Sequence, residues 1–168
     1  MSNDHVKHLI KLAQDKDLTA SMGWDTSFST ENLDEFIQAV SEYSLPFSQP
    51  SQPTFMGIFL DTKDLPIGYA ILKGMNMNLH SCEVGVAVLD REYRNKGVGR
   101  LALDCIVQYA FNELNLQVIG ATILRSNNLS INMCKRVGFK LKETMYESWP
   151  MPDGTLADMV WMELKQNK

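Results

Sequence analysis

The sequence is short of cysteine, of positive charge and of long apolar runs, and each shortage removes a class of function. Its three cysteines, Cys82, Cys105 and Cys134, are odd in number and widely spaced, which excludes a disulfide framework and a zinc ribbon and implies reduced thiols. Lysine and arginine total 16 against 20 aspartates and glutamates, a formal net charge of -4. Nothing global therefore draws the chain to nucleic acid or to an anionic membrane, and any anion site must be local. The longest apolar stretches, such as Val118 to Leu124, fall far short of the roughly 20 residues that span a bilayer. Polar residues follow Met1 without a signal-peptide core. We expect a cytoplasmic protein with no nucleic-acid and no membrane partner. His5 and His8 share a helix face without a third ligand nearby, so no metal site is expected. What remains is ordinary: 168 residues, 45% apolar and 21% charged, enough to bury one core, which predicts a single domain over residues 1–168.

Val6, Leu9, Ile10 and Ala13 follow helical spacing, predicting a first helix that ends near Ser21. Thr30 opens a second, with Leu33, Phe36, Ile37 and Val40 on one face and acidic residues in its first turns. Three prolines and three serines between Ser44 and Pro53 predict a loop. Two apolar runs, 54–60 and 67–74, flank a turn-rich spacer and read as a hairpin. Residues 82–90 read as a strand buried on both faces. From Val98 to Leu114 the apolar residues leave a polar strip at Arg100, Asp104, Gln108 and Asn112, the pattern of a well-covered helix. A buried strand over 117–124, a short helix stopped by Gly138, and strands over 139–149 and 155–164 complete a mixed α/β order.

Between the third strand and the long helix lies Arg91-Glu92-Tyr93-Arg94-Asn95-Lys96-Gly97-Val98-Gly99-Arg100, a local excess of positive charge and bare backbone. The first amides of a helix have no intrahelical partner, and glycine lets a phosphate approach them closely. A pyrophosphate fits this stretch; a solvated basic loop is the other reading of the same residues. Gly97, Gly99 and Ala102 also match a dinucleotide fingerprint, but two strands precede this one and no carboxylate ends the next, so the required context fails.

These residues resemble the GNAT superfamily of acetyl-CoA-dependent N-acetyltransferases. The family's cofactor motif is Gln or Arg, two residues, Gly, one residue, then Gly or Ala, here Arg94-Asn95-Lys96-Gly97-Val98-Gly99. Its second motif, an Asn-x-x-Ser/Ala segment leading to Gly-Phe, is similar to Asn127 through Gly138-Phe139. The resemblance is nearest the branch of ribosomal-protein N-terminal acetyltransferases and related small-amine enzymes. It implies an α/β (α+β) fold with a mixed, mostly antiparallel central sheet of about six strands flanked by helices. It also implies acetyl-CoA as cofactor, a small-molecule amine or a protein N-terminus as acceptor, and a homodimer by family habit. Family members usually begin with a strand before the first helix; here only four residues precede it.

Acetyl transfer to an amine needs a held donor, a deprotonated amine, stabilisation of the oxyanion and a proton for the leaving thiolate. By resemblance, Ala87, Val88 and Leu89 splay from their neighbour to pair with the pantetheine arm, the Val88 N–H polarises the thioester carbonyl, and amides from Asn95 to Arg100 hold the pyrophosphate. Glu83 is the candidate base, its value raised by burial, with a structural glutamate as the alternative. Asn127 contacts the cofactor arm, caps a helix, or does both. Where the family commonly has a tyrosine acid, this chain has Cys134, which either protonates the thiolate or packs the core. Trp24, Phe28 and His80 are candidates for the acceptor pocket. A non-catalytic acyl-CoA sensor is the alternative function.

Overall fold

The computed structural model describes residues 1–22 and 53–166. The second helix expected from Thr30, and Trp24 and Phe28, lie outside the described residues. α1 (Asn3–Leu12) opens on a capping box, in which Ser2 Oγ accepts the His5 N–H at 3.3 Å and His5 Nδ1 accepts the Ser2 N–H at 3.2 Å. The single helix expected to end near Ser21 is in fact two. Asp15 Oδ1 accepts the N–H groups of Asp17 and Leu18 at 3.1 and 3.3 Å, and so starts a separate α2 (Lys16–Met22).

Six strands form one sheet: β1 (Thr54–Ile58), β2 (Gly68–Asn76), β3 (Ser81–Val88), β4 (Val118–Leu124), β5 (Lys140–Pro150) and β6 (Leu156–Lys165), in the order β1-β2-β3-β4-β6-β5. All neighbours are antiparallel except β3 and β4. That parallel pair is connected through α3 (Val98–Asn112), as parallel strands require. The expected polar strip faces outward along α3: Arg100 pairs with Asp104 at 3.7 Å, and Asn112 Nδ2 donates to Gln108 Oε1 at 3.3 Å. On its other side Leu103, Ile106, Val107 and Ala110 pack with Cys82, Val84, Ile119, Ala121 and Met162 into the main core. α4 (Asn128–Val137) adds Cys134 to that core and stops at Gly138, whose φ is 112°. On the opposite face of the sheet, Leu9 and Ala13 pack with Ala87 and Leu89.

The expectation that residues 82–90 are buried on both faces needs correction. Cys82, Val84 and Ala87 are buried, whereas Glu83, Gly85 and Val86 keep partial access. The reason is in the register: β3 meets β4 only at Ser81↔Val118, Cys82↔Ile119 and Glu83↔Gly120, and beyond that point the two strands part.

Candidate active site

After β3 the chain makes a short 3-10 turn at Arg91–Tyr93, begun by the Asp90 carboxylate, which accepts the Glu92 N–H at 3.0 Å. Asn95 and Gly97 then take left-handed backbone, with φ of 60° and 83°. Asparagine tolerates that region and glycine occupies it without a Cβ penalty. Among the described residues, the amides from Asn95 to Arg100 have no protein acceptor, and the next amide, Leu101, donates to Gly97 O at 3.1 Å. Six consecutive N–H groups without a protein acceptor at the start of a 15-residue helix are the kind of backbone that suits an anion. Gly99 serves a different purpose, because a Cβ there would lie 3.3 Å from Met133 Sδ and 3.5 Å from Val88 Cγ2.

The divergence of β3 from β4 makes a fork. Leu89 N–H donates to Ile67 O on the β2 side at 2.9 Å. By strand alternation, the N–H and C=O groups of Val84, Val86 and Val88 therefore point away from β2: the Val84 N–H still closes the last rung with Gly120 of β4, and from the Val84 carbonyl onward the edge faces the fork, with Val88 O accepting Arg94 Nε at 3.0 Å. At the apex, Glu83 Oε1 accepts the Thr122 N–H at 3.3 Å and pairs with Lys73 Nζ at 3.2 Å. Oε2 has no protein partner among the described residues. A cavity of about 660 Å³ passes through the fork. Met133 and Cys134 of α4 wall it on one side of the sheet, and Leu9 and Ile10 of α1 on the other. Among the described residues, Glu83 is the only carboxylate in its wall.

The sequence model for the Acetyltransferase (GNAT) domain matches residues 1–140. The chain belongs to the GNAT acetyltransferase family. Solved GNAT structures share its fold at low identity. The spermidine N-acetyltransferase of Vibrio cholerae, solved with CoA and spermine, is 17% identical with a TM-score of 0.84, over 99% of this chain and 92% of that one. A ribosomal-protein-alanine N-acetyltransferase from Brucella melitensis is 19% identical with a TM-score of 0.75, over 99% and 97%. A probable acetyltransferase is 18% identical with a TM-score of 0.82, over 99% and 90%. A search of curated proteins finds no match.

GNAT domains bind acetyl-CoA, and the residues present fit it. The amide concavity with exposed Lys96 suits a pyrophosphate, and the β3 edge freed by the fork, chiefly the Val84 carbonyl, both groups of Val86 and the Val88 N–H, suits the amide-bearing pantetheine arm. Several assignments made from the sequence are redrawn by the geometry. Arg94 does not present its guanidinium to the donor site: Nε donates to Val88 O at 3.0 Å, Nη2 to Leu89 O, and Nη1 to Asp15 Oδ2 at 2.8 Å. Arg100 is paired with Asp104. Leu89 lies past the end of β3 with its N–H already bonded to Ile67, and the buried Ala87 side chain faces α1. The splay begins earlier than Ala87, so Val84 and Val86 join Val88 as the strand edge; the alternation that reveals them requires the register with β2.

Asn127 caps α4 through Oδ1, which accepts the Ser130 N–H at 3.1 Å, while Nδ2 donates to Ser21 O at 3.1 Å. Cys134 is 3% exposed, and burial pushes its thiol up to about 11. His80 is not at the cavity. It closes the β2–β3 turn at φ 46°, and its carbonyl accepts Gln117 and Val118 amides at 2.7 and 3.1 Å, locking the start of β4 beside β3. Lys73 and Thr122, the partners of Glu83, were not foreseen, since no local pattern links them to it.

Proposed function

We propose that this GNAT protein transfers the acetyl group of acetyl-CoA to a primary amine, by direct attack with donor and acceptor bound together. The observation that carries the reading is the succession, along one strand and its loop, of a cavity at the β3/β4 fork in which Glu83 is the one carboxylate among the described residues and of the free amides that follow β3. When bound, acetyl-CoA supplies an activated acyl group. The amides from Asn95 to Arg100, with Lys96, hold its pyrophosphate, and the edge formed by Val84, Val86 and Val88 orients its arm. The Val88 N–H stabilises negative charge developing on the carbonyl oxygen. Glu83 takes the amine's proton at Oε2, directly or through a water, while Lys73 and the Thr122 N–H hold Oε1 in place. The acceptor is a small-molecule amine or a protein N-terminus, a reading supported by structural neighbours whose names carry spermidine and ribosomal-protein alanine. The protein works as one domain in the cytoplasm.

One observation favours a second reading. Cys134 stands where the family commonly has an acid, and its buried thiol is a poor one, as a non-catalytic acyl-CoA sensor would tolerate. Release of free thiol from acetyl-CoA over a panel of polyamines, amino sugars, amino acids and alanine-terminated peptides separates the two. Thiol release with at least one amine is expected. Tight CoA binding with no release for any amine would leave the sensor.

A further inference from the structure

The two family-motif side chains, Arg94 and Asn127, point at one small element. α2 begins at Asp15, whose Oδ1 holds the amides of Asp17 and Leu18 and whose Oδ2 accepts Arg94 Nη1 at 2.8 Å. It ends at Ser21 and Met22, both in the cavity wall, and the Ser21 carbonyl accepts Asn127 Nδ2 at 3.1 Å. Arg94 belongs to the loop after β3 and Asn127 to the loop after β4, the two strands that part to make the fork. α2 therefore bridges the open end of the fork and is tied to one limb at each end. Arg94 and Asp15 are each only about one-fifth exposed, so the first tie is shielded from solvent, unlike the Arg91–Asp17 pair beside it, whose side chains are 77% and 81% exposed.

We propose that Arg94 and Asn127 are positioning residues that brace α2 across the β3/β4 fork, and that the brace fixes the acceptor side of the cavity. It rests on the acetyl-transfer reading only for its effect on turnover. The donor's amides and the strand edge of Val84 to Val88 do not pass through α2, whereas Ser21 and Met22 do line the cavity. Loss of the brace should therefore weaken acceptor binding and leave donor binding in place.

Two substitutions cut the ties while keeping the caps. Asp15→Asn retains an oxygen for the Asp17 and Leu18 amides but removes the charge facing Arg94. Asn127→Asp retains the acceptor for Ser130 N–H but removes the donor to Ser21 O. In the double variant, hydrogen exchange of the amides from Thr19 to Met22 should quicken about tenfold or more, with α3 unchanged. CoA affinity, measured by calorimetry on Asp15→Asn, whose side chain is not in the cavity wall, should stay within about twofold, while KM for the amine rises about tenfold in the double variant at little change in kcat. Unchanged exchange across α2, or a fall in CoA affinity matching the rise in KM, would overturn the proposal. Exchange and CoA affinity are read without turnover, so the brace is decided even if no amine proves to be an acceptor.

Discussion

Glu83 Oε1 accepts the Thr122 N–H at 3.3 Å at the point where β3 leaves β4. The last paired residues are Glu83 and Gly120, so Thr122 carries the next β4 amide that would have continued the ladder. A carboxylate side chain takes the place of a backbone carbonyl, which lets the fork open without leaving this partly buried donor unsatisfied.

That geometry makes Glu83→Gln informative. Glutamine keeps an oxygen for Thr122 and preserves the fork, but it cannot accept the amine's proton. We expect kcat to fall about 100-fold, within the usual range for loss of a general base, with CoA affinity unchanged. A variant with wild-type kcat would restrict Glu83 to holding the fork.

Gly97 and Gly99 should respond differently to alanine. At Gly97 a Cβ has open space but the φ of 83° penalises it, by about 1–2 kcal/mol. Gly97→Ala should thus weaken CoA binding by distorting the amide concavity. At Gly99 the nearest obstacle is the flexible Met133 side chain at 3.3 Å, so Gly99→Ala should bind CoA nearly as the wild type does. Calorimetric titration of both variants with CoA checks the contrast.

Cys134 should be dispensable for turnover. A thiol held at about 11 would protonate a thiolate of ordinary value, near 8.5, against a gradient of roughly two to three units. We expect Cys134→Ala to keep kcat within about threefold while losing about 1 kcal/mol of packing. Cys82 is pushed up to about 12 by burial and by the neighbouring Glu83 charge. Both thiols stay neutral in the fold where the unfolded chain would ionise. Their contribution is therefore full below the ordinary thiol range and declines as pH rises through 9 toward 11. Melting temperature measured across that range should fall with pH, and less steeply in Cys134→Ala.

At the acid end the relevant groups are Asp15 and Asp158. The hydrogen bond from Arg94 holds the Asp15 carboxyl below its ordinary value, and the Glu147 amide followed by Arg125 does the same for Asp158. A depressed carboxylate stabilises the fold above the unfolded value, near 4, and loses that contribution as pH falls through the folded value. Asp158→Asn and Asp15→Asn should both melt lower than the wild type at pH 7, and the gap should close progressively below about pH 4.

Much of the fold was legible because it rests on local patterns. The polar strip from Arg100 to Asn112 gave α3, the short apolar runs gave the strands, and Gly138 marked the end of α4. The same locality misled the reading of the first helix: no glycine or proline interrupts the chain between Ala13 and Gly23, while the break was made by one aspartate side chain taking two amides. Arg94 was misplaced for a related reason. A guanidinium next to a glycine loop carries no record of its partner, and Asp15 lies 79 residues earlier.

The sequence by itself determined the order of elements from β1 to β6, the glycine turn with its free amides and membership of a family whose motifs run from Arg94 to Phe139, because each depends on residues within one helical turn or one loop. Only the tertiary structure decided where β3 parts from β4, that Glu83 stands at that point, and that Arg94 and Asn127 reach back to α2. Those facts arise from register and long-range contact, in which residues far apart in the chain meet because the apolar faces of α3 and the sheet can be buried in one way.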